Sequence, residues 1–131
     1  KHRGPDSSSF DLVAPNVLLG FHRLAIMDLS AEGNQPFHYV RPDKSCVYSI
    51  TNGEIYNQAT LKKEYNIKTK SSSDCEVIIP LYCHFNTDKD LDYMFGLLGS
   101  EYATIIVDIT ANNNIKLIIN CTKTFDYNID K

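Results

Sequence analysis

Cys46-Val47-Tyr48-Ser49-Ile50-Thr51-Asn52-Gly53-Glu54-Ile55-Tyr56-Asn57 is the stretch that decides how this chain is read. Its first six residues are β-branched, aromatic or apolar except for Ser49. They predict a strand over 46–51 that ends at Asn52-Gly53. That ending has two readings. Asn-Gly is the strongest short hairpin signal, because both residues tolerate φ > 0. A strand that stops there also presents an amide side chain and a backbone N–H at one point, and glycine has no Cβ to block a ligand. Two such donors can hold a developing oxyanion.

Working outward, Asn57 is placed to cap a helix running to about Tyr65. Ser73-Asp74-Cys75-Glu76 has the spacing of a capping box. Behind it, Ile78, Leu81, Tyr82 and Phe85 recur at helical intervals. The spacing predicts a further short helix over 91–98, stopped by Gly99. Two β-rich runs, 101–109 and 115–121, are joined by Thr-Ala-Asn-Asn-Asn and predict a hairpin. Upstream, 1–9 reads as a loop, 16–21 and 23–29 as two short strands, and 30–45 as a long surface loop rich in Ser, Gly, Asn, Pro and Asp. Strands, then helices, then strands argue an α+β domain with helices covering one side of the sheet.

A chain of 131 residues supports one domain, and 43% hydrophobic with 22% charged residues is enough apolar matter for a packed core. A net charge of −3 leaves no nucleic-acid footprint. Cys46, Cys75, Cys83 and Cys121 form no Cys-x-x-Cys pair, so no metal site or redox dithiol is expected. Largely buried free thiols fit a reducing cytoplasm. No signal peptide and no apolar run long enough for a bilayer span is visible. The chain opens on Lys1 within a motif-like segment and so reads as trimmed from a longer one.

Four motifs then fall in order: His2-Arg3-Gly4-Pro5-Asp6, Phe21-His22-Arg23-Leu24-Ala25-Ile26-Met27-Asp28, Asn52-Gly53-Glu54-Ile55-Tyr56-Asn57 and Ser73-Asp74-Cys75-Glu76-Val77-Ile78. Over roughly residues 1–110 the series resembles the glutaminase domain of asparagine synthetases, class II glutamine amidotransferases of the N-terminal nucleophile hydrolase fold. The resemblance implies a four-layer α-β-β-α sandwich, here incomplete. It implies a domain that takes the side-chain amide nitrogen of glutamine and passes ammonia to an ATP-dependent synthetase domain that makes asparagine. Glutamine, that C-terminal synthetase domain and a second copy in a homodimer are the implied partners. No cofactor is expected in this chain; ATP and Mg belong to the synthetase domain.

Roles carry over by position. Arg23 matches the guanidinium that holds the glutamine α-carboxylate, for which a planar fork is suited. Leu24, Ala25, Ile26 and Met27 continue that substrate-binding segment. Asn52 and Gly53 match the oxyanion hole through the side-chain amide and the backbone N–H. Glu54 follows in the same loop and contacts the substrate ammonium or shapes the loop. Asp74 matches the acid that receives the α-ammonium, and it is also a favourable first-turn carboxylate. His2, Arg3 and Asp6 are expected to fix a loop by ion pairing. His22 is read as a packing or hydrogen-bonding residue, because this chemistry takes its base from the chain terminus.

Two departures weigh against a complete enzyme. The family nucleophile is an N-terminal Cys followed by Gly-Ile, and Lys1 stands first here. The four cysteines present are read as inert core. The segment from Asn120 to Asp126 does not match the family continuation, and the synthetase nucleotide motif is missing. An inactive amino-acid-binding or partner-binding descendant, or another class II amidotransferase, are the competing readings.

Overall fold

The computed structural model describes residues 4–25, 28–85 and 87–122. β1 (Ser7–Ala14) and β2 (Val17–Arg23) form a two-stranded antiparallel hairpin. β3 (Phe37–Val40), β4 (Cys46–Ile55), β5 (Ser100–Ile109) and β6 (Ile115–Cys121) form an antiparallel sheet in that order. Between β4 and β5 lie α1 (Gln58–Glu64), α2 (Ile78–His84) and α3 (Leu91–Leu97).

Strand alternation divides the sheet into two buried faces. Val47, Ile55, Tyr102 and Ile106 point to the helices, where Leu61, Ile78, Leu81, Tyr82 and Met94 fill the main core. Burying each large side chain there is worth roughly 1.5–3 kcal/mol. On the opposite face Val107 and Ile109, with Tyr48, Ile50 and Ile105, meet Leu19, Val13 and Val17 of the hairpin. The described residues therefore supply a helix layer and two sheet layers, in keeping with an incomplete α-β-β-α sandwich.

Several local expectations are corrected. The first strand begins inside the stretch expected to be loop, and β2 runs on to Arg23, where it stops; among the described residues of 24–29 none is in a strand. The 30–45 stretch is not all loop. It holds a 3-10 turn at Ala31–Gly33, a cis Gln35-Pro36 bond and β3. β4 does not end at Asn52-Gly53. It continues to Ile55 in unbroken register with β5, pairing Asn52 with Ala103 and Gly53 with Tyr102. The hairpin reading is thereby excluded.

The strand continues because residue 53 has no side chain. Gly53 lies at φ +139°, and a Cβ there would come within 2.2 Å of the Glu101 carbonyl oxygen. Neither predicted cap forms through a side chain. Asn57 precedes α1 but donates Nδ2–H to Leu97 O (2.8 Å) and accepts from Gly99 N–H (3.0 Å), pinning α1 to the end of α3. Ser73 makes no cap bond; Glu76 instead accepts from Lys70 N–H and Ser71 N–H, both at 2.8 Å.

Candidate functional site

A cavity of about 1120 Å³ opens between the hairpin and the exposed end of the larger sheet. Arg23, Leu24, Asn52, Gly53, Glu54 and Asp74 all line it. Five segments distant in sequence thus converge: the end of β2, the last turn of β4, the 3-10 turn Asp74–Val77, and the β5 and β6 backbones. Of the other expected residues, Ala25 sits just behind, its N–H donating to Asp6 Oδ2 at 2.7 Å. Ile26, Met27, His2 and Arg3 lie outside the described residues.

Arg23 is buried, and its head is held by main-chain and amide oxygens. Nη1 donates to Ser30 O and Asn34 Oδ1, each at 2.7 Å, and Nη2 donates to Asp28 O. Three of the five guanidinium protons are used in this way. Among the described residues, the Nε–H and one Nη2 proton have no partner, so the guanidinium keeps donors for a carboxylate. Gly33 makes the loop pass close by; a Cβ there would reach within 2.6 Å of Nη2.

Asp74 is buried at the other wall. Its Oδ2 accepts the Ile55 N–H at 2.5 Å, at the last residue of β4. Asn52 is exposed to the cavity, and its φ is not in the left-handed region. Tyr102, opposite Gly53, exchanges hydrogen bonds with Thr122 instead: Thr122 N–H donates to Tyr102 O at 3.0 Å, and Tyr102 N–H donates to Thr122 Oγ1 at 3.2 Å. Antiparallel pairs alternate between bonded and unbonded kinds. The Gly53–Tyr102 pair is of the second kind, so the Gly53 N–H is not spent on it.

The described contacts of Asp6 are hydrogen bonds; the ion pairing expected with His2 and Arg3 lies outside the described residues. Asp6 N–H donates to Arg23 O at 2.9 Å, and its carboxylate takes the Ala25 N–H. His22 Nδ1 lies 2.8 Å from Ser8 Oγ, and its ring meets the edge of Phe10. The cysteines are all free, but not all are core. Cys75 is buried, Cys46 and Cys83 are partly exposed, and Cys121 is exposed. Cys75 lines the cavity, but burial, with Asp74 and Glu54 nearby, pushes its thiol well above its ordinary value. It is protonated at neutral pH and is no nucleophile.

Two cavity residues were given no role by the sequence reading. Asp28 is buried, with hydrogen bonds from the Ser30 hydroxyl and N–H and from Ser72 N–H that hold its carboxyl well below the usual carboxylate range. Gln35 is buried against Thr51. No periodicity signals either one: the Ser72 and Thr51 partners lie 44 and 16 residues away in sequence. Among the described residues, no group of three His, Cys, Asp or Glu side chains is arranged to hold a metal ion. No helix there is long and apolar enough to cross a membrane.

Comparison with known proteins gives this constellation a family. The model of the glutamine amidotransferase domain matches residues 1–114, and the chain belongs to that family. It is 43% identical over 110 residues to the probable glutamine-hydrolysing asparagine synthetase of Acanthamoeba polyphaga mimivirus, covering 82% of this chain and 18% of that protein. It is 42% identical over 107 residues to asparagine synthetase B of Escherichia coli, covering 77% of this chain and 18% of that protein. The amidase chry2 of Gibberella zeae is 36% identical over 110 residues, covering 82% of this chain and 15% of its own length. The chain thus spans less than a fifth of each of these relatives.

Proposed function

We propose that this chain is the glutamine-binding part of an asparagine synthetase, and that it releases ammonia from glutamine for the amidation of aspartate. The observation that carries this reading is the convergence of Arg23, Asn52-Gly53 and Asp74 on one cavity. Arg23 offers its free N–H donors to the α-carboxylate, and Asp74 offers a carboxylate to the α-ammonium. The Asn52 amide and the Gly53 N–H face the side-chain carbonyl, where negative charge develops when a nucleophile adds. The attacking thiolate is not supplied by the described residues. Loss of ammonia leaves an acyl-enzyme that water then hydrolyses.

The names of the relatives favour the synthetase over an inactive descendant. The synthetase domain that consumes the ammonia is then the partner, with ATP and Mg held there and no cofactor held here. Free thiols fit the cytoplasm. The test is ammonia release from L-glutamine by the full-length protein, with Asp74→Asn as comparison. We expect saturable release with glutamine KM raised about tenfold or more in Asp74→Asn, as for loss of a charged hydrogen-bond partner. No glutamine-dependent ammonia from the full-length protein overturns the reading.

A further inference from the structure

Arg23 ends β2 with its guanidinium held by the 28–34 turn, Asp74 opens a separate 3-10 turn behind the 70–73 loop, and a ligand carrying both an α-carboxylate and an α-ammonium is held tightly only if their separation is fixed. Asp28 joins these loops. Its Oδ1 accepts the Ser30 N–H at 2.7 Å and the Ser30 hydroxyl at 2.6 Å, which shapes the turn that cradles the guanidinium. Its main-chain oxygen takes the Arg23 Nη2 proton directly. Its Oδ2 crosses to the other loop and accepts the Ser72 N–H at 2.8 Å, 44 residues away in sequence and two before Asp74. This hydrogen bond ties the 28–34 turn to the 70–74 segment. The far loop is itself braced from behind by Glu76 on Lys70 and Ser71.

We propose that Asp28 is a positioning residue that sets the distance between the carboxylate-binding and ammonium-binding sides of the site. It does not itself bind the substrate. This rests on the glutamine reading above. The Asp28 carboxylate takes three hydrogen bonds from the protein, two on Oδ1 and one on Oδ2, so both of its oxygens are engaged in joining the two segments. A carboxylate bridging two loops acts on ligands that span both loops and leaves ligands that touch only one of them nearly unaffected.

Asp43 provides an internal control, because it repeats the local motif without the bridge. Its Oδ1 accepts the Ser45 N–H at 2.9 Å and the Ser45 hydroxyl at 2.6 Å, in the turn between β3 and β4.

The experiment uses the full-length protein with Asp28→Asn, Asp28→Ala and Asp43→Asn. Ammonia release gives glutamine KM and kcat. Titration with L-glutamate, glutarate and 4-aminobutyrate compares one ligand with both backbone charges against two that lack one each. Expected for Asp28→Asn is a glutamine KM up about tenfold with kcat within about twofold, and Asp43→Asn unchanged. L-glutamate binding should weaken by about the same factor, while glutarate and 4-aminobutyrate stay within about twofold. If Asp28→Ala does not fold, the isosteric Asn variant decides. An Asp28→Asn protein with wild-type KM overturns the assignment, as does equal weakening of all three titrants. A wild-type protein that releases no ammonia overturns the glutamine reading first, and this one with it.

Discussion

The side-chain amide of Gln35 closes on the backbone of Thr51: Nε2 donates to Thr51 O at 3.0 Å, and Oε1 accepts Thr51 N–H at 2.6 Å. β3 pairs Phe37 with Ser49, so Gln35 stands at the next bonding position of the same register and fills it with its side chain. The edge of β4 is thereby sealed one residue before Asn52. Gln35→Ala leaves a buried N–H and C=O unpaired and is expected to cost about 1–3 kcal/mol, read from the denaturant midpoint at unchanged m-value. A midpoint equal to wild type would mean that water replaces the amide without loss.

Asn52 lies in a regular stretch of β4 with an exposed side chain, so Asn52→Ala keeps the backbone and removes only the donor. In the full-length protein, kcat for ammonia release should fall by about 10²–10³-fold with glutamine KM and thermal midpoint little changed. Full turnover in Asn52→Ala would remove this amide from the oxyanion hole.

Acid stability should depend on Asp108. Its carboxylate takes two hydrogen bonds from Arg41, at 2.8 and 2.9 Å, and one from the Tyr82 hydroxyl at 2.7 Å. Burial raises its pKa, but the bonds from Arg41 and Tyr82 outweigh this and leave it below the ordinary 3.8. A depressed folded value stabilises above the unfolded pKa, and the contribution is lost as pH falls through the folded one. Asp108→Asn should therefore cost roughly 1.5–3 kcal/mol at neutral pH and progressively less below about pH 4. Urea unfolding at several pH values checks this; a pH-independent deficit contradicts it.

Thiol labelling should follow burial and thiolate character. Cys121 is exposed, whereas Cys75 is buried with its thiol pushed well above the ordinary range. Brief iodoacetamide treatment of the folded protein, read by peptide mass spectrometry, should modify Cys121 first and Cys75 last. Early labelling of Cys75 would reopen it as a reactive group.

The helices and the β5–β6 hairpin were legible because their signals are local. Ile78, Leu81 and Tyr82 recur on one face, and the Asn-rich link closes with Asn113 at φ 61°. β1 was hidden because Ser7-Ser8-Ser9 and Asp11 are partly or fully exposed and carry no alternation. β3 was hidden because only one of its four residues is buried. The motif residues that meet in the cavity were found through family resemblance. The Asp28–Ser72 and Gln35–Thr51 bonds join partners that only the folded chain brings near. Both apparent caps misled for the same reason: Asn57 and Glu76 were claimed by Leu97, Gly99, Lys70 and Ser71.

Gly53 changes how tolerance to substitution reads along the end of β4. Any side chain there meets the β5 backbone and a φ of +139° before catalysis is affected. A saturation scan selected on abundance alone should therefore already empty position 53 of every alternative, whereas position 52 should empty only when selection is on glutamine-dependent ammonia release by the full-length protein. Intolerance at 53 speaks for folding; the same intolerance at 52, next to it in the chain, speaks for chemistry.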